Sequence, residues 1–163
     1  MNVQNTEQRA DIVVIGLGVR TSLSGAATDI PALWQRVMQE GSLEKVPRWA
    51  GDANVYAVYT DYASDYRGAY TMIIGVAVDP EAPTPAGMQR AVIPAGAYAT
   101  VRAEGPPQEA IWGAWRFFWE EWPRRSERRY GSDFERYDPA ALAGFAQNHV
   151  AVDVVVGIEH RTV

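Results

Sequence analysis

The sequence predicts an α+β fold: duplicated β-α-β-β units forming one largely antiparallel sheet, with two helices packed on it. Three observations carry this. Strand-like and helix-like segments follow the same order in both halves of the chain. The stretch DPEAPTPAG at 79–87 holds three prolines and divides those halves. Apolar residues make up 47 % of 163 residues, enough to bury a core within one domain. The chain therefore reads as a single domain, 1–163, with one unit at 11–79, a second at 88–159 and a linker at 80–87. No residue-level identity links the units, so the repeat is architectural.

The elements follow in order. DIVVIGLGVR at 11–20 is rich in β-branched residues and reads as a strand. Its GLG suggests a dinucleotide loop, but the third glycine of that motif would fall on Thr21, and the next helix starts too late to receive a pyrophosphate. A bulged strand accounts for it better. A helix comes next, capped by Thr28 or Asp29, with Pro31 in its first turn and Gly41 at its end. Leu33, Trp34, Val37 and Met38 share its apolar face. Residues 54–62 and 69–79 read as two strands joined by ASDYRG.

In the second unit, 88–103 reads as a strand broken at Pro94-Ala95-Gly96. Pro106-Pro107 opens a helix that runs through Trp122 and is closed by Pro123. Residues 130–137 and 150–159 read as two more strands. On the helix, Ile111, Trp112, Trp115, Phe118, Trp119 and Trp122 form one broad stripe. Most of that stripe is expected to be core. So many tryptophans cannot all pack densely in a small domain, so one or two should face a cavity, and Trp112 and Trp115 are the expected wall residues.

Composition narrows the function. A formal charge of −5 and a pI near 5.0 argue against nucleic acid as the main partner. Without cysteine there is no disulfide, thiolate nucleophile or Cys-ligated zinc. The two histidines, His149 and His160, form no metal-binding pair, and no cofactor is expected. The polar N-terminus lacks a signal sequence and no apolar run is long enough to cross a bilayer, so a cytoplasmic protein without membrane contact is expected. The cluster RRSERR at 124–129 reads as a solvated helix end rather than a nucleic-acid patch.

Five of eight tyrosines crowd into YAVYTDYASDYRGAYT at 56–71. Alternation sorts them. Tyr70 shares a face with Met72, Ile74, Val76 and Val78, as do Val150, Val152, Val154, Val156 and Ile158 on the last strand. Helices are expected over both faces. Thr71, Gly75 and Ala77, and Asp153, Gly157 and Glu159, occupy the opposite faces. Asp133, Glu135 and Tyr137 share one face, and so do Tyr59 and Asp61. If the polar faces adjoin, small residues leave room above the sheet, bordered by carboxylates and tyrosine hydroxyls. One acid within apolar walls would then select a cation. The same faces could equally be solvated, and alternation leaves both readings open. Tyr66 falls in the connection between strands. Tyr59 is the firm pocket tyrosine, with Tyr62 at its strand end.

VRT at 19–21, IPALW at 30–34, VYAVYTDYASDYRGAYTMIIGV at 55–76, AWRFFW at 114–119, SDFERYDP at 132–139 and VDVVVGI at 152–158 together resemble the integron-cassette effector-binding proteins. These belong to the GyrI-like small-molecule-binding superfamily, the AraC-type effector-binding domains. The resemblance covers residues 11 to 159 and implies the duplicated fold with a central ligand groove. It further implies binding of cationic, aromatic or amphipathic small molecules through a buried glutamate and aromatic walls. By motif Glu135 is the first candidate for that acid and Asp153 the second. Asp153 departs from the pattern by being aspartate, and Gly157 replaces a frequent proline. With Tyr59, Tyr137, Trp112 and Trp115 they make up the expected ligand site.

Many relatives carry a helix-turn-helix domain. Only about ten residues precede the first strand here, too few for one, so a free-standing binder that does not read DNA is expected. Two other functions are implied by relatives. One is hydrolysis of strained cyclopropane rings, with Glu135 and Tyr59 or Tyr137 as the acid-base groups. The other is modulation of a protein partner.

Overall fold

The computed structural model describes residues 1–159. Its elements are β1 (Val3–Gln8), β2 (Ile12–Thr21), α1 (Ala26–Glu40), β3 (Val55–Thr60), β4 (Tyr70–Val78), β5 (Gln89–Ile93), β6 (Gly96–Gly105), α2 (Pro107–Arg116), β7 (Asp133–Tyr137), α3 (Pro139–Gly144) and β8 (Val150–Gly157). All eight strands join one sheet in the order β1-β6-β8-β7-β3-β4-β2-β5, and every neighbouring pair is antiparallel.

The inner six strands are palindromic. β6-β8-β7 of the second unit mirrors β2-β4-β3 of the first, and β7 and β3 form the seam. At that seam Val55 faces Tyr137, Ala57 faces Glu135, and Tyr59 faces Asp133. The predicted β-α-β-β duplication is thus present, with β1 and β5 added as edge strands. β1 escapes the sequence reading because only its end residues are even half-buried, so it carries no apolar signal and is held by its ladder to β6. The break at Pro94-Ala95 separates two strands at different places in the sheet.

Helix boundaries also differ from the sequence reading. α1 begins two to three residues before the predicted cap, because the Ser22 carbonyl already accepts the Gly25 and Ala26 amides. Asp29 instead accepts the Thr21 hydroxyl at 2.7 Å, tying α1 to the end of β2. α2 ends at Arg116 and continues as a π-helical turn, Phe117–Glu121, in which the Trp122 amide reaches the Phe117 carbonyl at 2.9 Å. Such turns recur at functional sites.

The glycines of β2 do not mark a bulge. Gly16 pairs with Gly75 in unbroken register. A Cβ on either would lie about 2 Å from a carbonyl oxygen of the other strand, so close backbone approach requires both glycines.

Both faces of the sheet are buried. Under α1 and α2, Leu33, Val37, Phe118 and Trp122 pack on Ala57, Met72, Ile74, Val101 and Val154. The other face curls around a second cluster of Val14, Tyr56, Val58, Ile73, Tyr98 and Phe134. Its far edges meet where the Gln8 amide donates to the Ile93 carbonyl at 3.2 Å.

Candidate functional site

An apolar cavity lies between the helices and the seam, on the helix-covered face. It encloses about 510 Å³, within the range of small-molecule sites. α1 contributes Ile30, Pro31 and Trp34, and α2 contributes Ile111, Trp112 and Trp115. Trp119 of the π-helical turn adds another wall, and the sheet supplies Tyr59, Tyr70, Glu135 and Tyr137. The open centre follows from ring geometry. Trp34 meets Tyr137 edge-on at 5.2 Å, and Tyr59 meets Trp115 edge-on at 4.9 Å, so rigid rings brace the walls apart.

Glu135 lies at the base of this cavity and is 2 % exposed. One carboxylate oxygen accepts the Tyr137 hydroxyl. The other accepts the Tyr59 hydroxyl and the Trp115 indole N–H, the latter at 2.8 Å. All three donors are neutral, and no cation pairs with this carboxylate among the described residues. Burial pushes the Glu135 carboxyl above its ordinary value of 4.5, while the three donors pull it down. Burial, reinforced by the carboxylate's charge, holds the Tyr59 and Tyr137 hydroxyls well above 10. Both remain proton donors to Glu135.

Asp133, two residues earlier on the same face, has a different fate. Its carboxylate accepts Arg128 at 2.5 Å, the Tyr62 hydroxyl at 2.7 Å and the Gly157 amide at 2.8 Å. The side chains of Arg128 and Asp133 are fully buried. This pair is internally neutralised, so Asp133 offers no charge to a ligand.

Four of the six predicted site residues, Glu135, Tyr59, Tyr137 and Trp115, meet directly at the base. Trp112 lines the outer wall and is 39 % exposed. Asp153 requires correction: Val154, not Asp153, pairs with Glu135 across β7 and β8. Asp153 therefore points to the opposite face, where it pairs with Arg102 and Arg136 at 3.1 Å each. The pocket's placement is corrected too, since Glu135 and Tyr59 share the helix-covered face with Tyr70 and Met72.

Sequence reasoning missed several wall residues. Tyr70, read as core, lines the cavity. Tyr66, read as a turn residue, stacks on Trp119 at 5.1 Å with the planes 6° apart. Trp34 and Trp119 were counted only as members of apolar stripes. The excess of tryptophan on the second helix was the available signal. In RRSERR, Arg128 is buried with Asp133, and Arg124, Arg125 and Arg129 each hydrogen-bond within the fold.

A duplicated β-α-β-β sheet with an aromatic cavity at its seam is the architecture that the resemblance to effector-binding proteins implied. The integron-associated effector binding protein model matches residues 6–158, and the chain belongs to that family. It is 30 % identical over 144 residues to YobU of Bacillus subtilis (strain 168), whose name places it among candidate transcriptional regulators. That match covers 85 % of this chain and 89 % of YobU. The integron cassette protein VCH_CASS2 of Vibrio cholerae shares the fold with a TM-score of 0.68, 22 % identity and coverage of 96 % and 95 %. SAV2435, solved with tetraphenylphosphonium bound, shares it with a TM-score of 0.78 and 17 % identity, covering 98 % of this chain and 94 % of that one. No helix among the described residues is long and apolar enough to cross a membrane.

Proposed function

We propose that this protein binds cationic aromatic or amphipathic small molecules in the seam cavity, with Glu135 as the charge partner. One observation carries the reading: of the two buried carboxylates on this face, Asp133 has its own guanidinium and Glu135 has none. An ionised carboxylate in an apolar cavity is poorly stabilised until a cation arrives, so a ligand's positive charge gains more here than in water. The surrounding indole and phenol rings offer faces to the rest of a flat cation. Tetraphenylphosphonium in the similarly folded SAV2435 is a ligand of this chemistry.

The hydroxyls of Tyr59 and Tyr137 both donate to Glu135, which favours a binding role over a hydrolytic one. Because Trp34, Trp112, Trp115 and Trp119 line the cavity, tetraphenylphosphonium should quench intrinsic fluorescence saturably. Glu135→Gln should weaken that binding by at least about tenfold while the circular dichroism stays unchanged. Equal affinity in the variant would sink the proposal, and recovery of a chemically altered compound would establish catalysis instead.

A further inference from the structure

Beyond the seam cavity lies a second recess of about 480 Å³. It shares Tyr66, Trp112 and Trp119 with the cavity, so the two spaces meet across the Tyr66–Trp119 stack. Their charged linings differ. The cavity's only lining carboxylate is Glu135, and no arginine or lysine lines it. Arg67, Arg116 and Glu120 line the recess. Arg67 is already paired, 2.6 Å from Asp65 outside the recess. The Arg116 guanidinium makes no ion pair or hydrogen bond among the described residues, although Glu120 is only one helical turn away.

We propose that the recess is a second subsite and that the protein takes amphoteric ligands, whose cationic aromatic part sits on Glu135 and whose carboxylate reaches Arg116. This rests on the cation-site reading above and specifies its ligand class. The groove carries a carboxylate at its base and, at its outer end, the unpaired Arg116 guanidinium beside Glu120, with aromatic faces between. A zwitterion of matching polarity satisfies both ends, whereas a simple cation leaves Arg116 unmatched. A guanidinium can hold a carboxylate through two parallel hydrogen bonds, a geometry a neutral ester cannot reproduce.

Rhodamine B and its ethyl ester provide the test, since they share one cationic xanthene and differ in the free carboxylate. Fluorescence anisotropy would give the affinity ratio of acid to ester for wild type, Arg116→Gln and Glu120→Gln. Arg116→Gln should lower that ratio roughly two- to five-fold, as expected for a partly exposed ion pair. Glu120→Gln should raise it by removing a like charge. The wild-type preference should also shrink as salt is added. A ratio unchanged in Arg116→Gln, with both dyes still bound, would overturn the amphoteric assignment and leave the cation site standing. Failure of both dyes to bind wild type would overturn the cation site, and the amphoteric assignment with it.

Discussion

Glu135 and Asp133 are two acids on one short strand with opposite surroundings, and the difference is measurable. Burial raises the Glu135 pKa in the folded state. A raised carboxyl pKa contributes stability that is fully present below the unfolded value and is lost as pH rises through the folded one. The stability of wild type relative to Glu135→Gln should therefore fall as pH climbs from about 4.5 towards the raised native value. Chemical denaturation across that window reads it, and a flat or rising difference would contradict it. Cation binding should strengthen over the same window, as the carboxylate ionises. Asp133 makes the opposite case. Arg128→Met strands a buried carboxylate and should cost about 3–5 kcal/mol of unfolding free energy. Alternation and the DFERY motif made Glu135 legible in the sequence. They did not reveal Arg128 as its neighbour's partner, because RRSERR reads locally as a solvated run.

At the scale of elements, alternation established which residues share a face but not which faces adjoin. Tyr59, Glu135 and Tyr137 were grouped correctly within their strands. Only the ladders, Tyr59 opposite Asp133 and Glu135 opposite Val154, place them beneath the helices and put Asp153 on the other side. Tyr66 against Trp119 was illegible for a related reason: a turn and a helix 53 residues further along meet only in the folded chain. The strand glycines were visible, but their cause was not. In Gly75→Ala the new Cβ would lie 2.0 Å from the Ile15 carbonyl oxygen. Forced separation of β2 and β4 should cost about 3 kcal/mol, seen as a lower denaturation midpoint at unchanged slope. A neutral outcome would mean that these strands shift apart freely.

At the scale of the molecule, the two units share one sheet and build one site. Glu135 takes a donor from the first unit, Tyr59, and two from the second, Tyr137 and Trp115. The linker predicted at 80–87 is mostly exposed and joins units that share a sheet. Cutting an engineered protease site there should leave the fragments associated, with one cooperative melting transition. Two separate transitions would mean that the units are independent domains. The palindromic strand order carries one more consequence. The midpoint of the seam ladder is the pair Ala57 and Glu135. A perfect two-fold axis through that point would exchange the two positions, so an assembly of identical halves with glutamate there would set two acids side by side. Such a pair would share a proton and offer a poorer seat to a single charge. Joining both halves in one chain lets that symmetry be broken, with alanine at one position and the acid at the other.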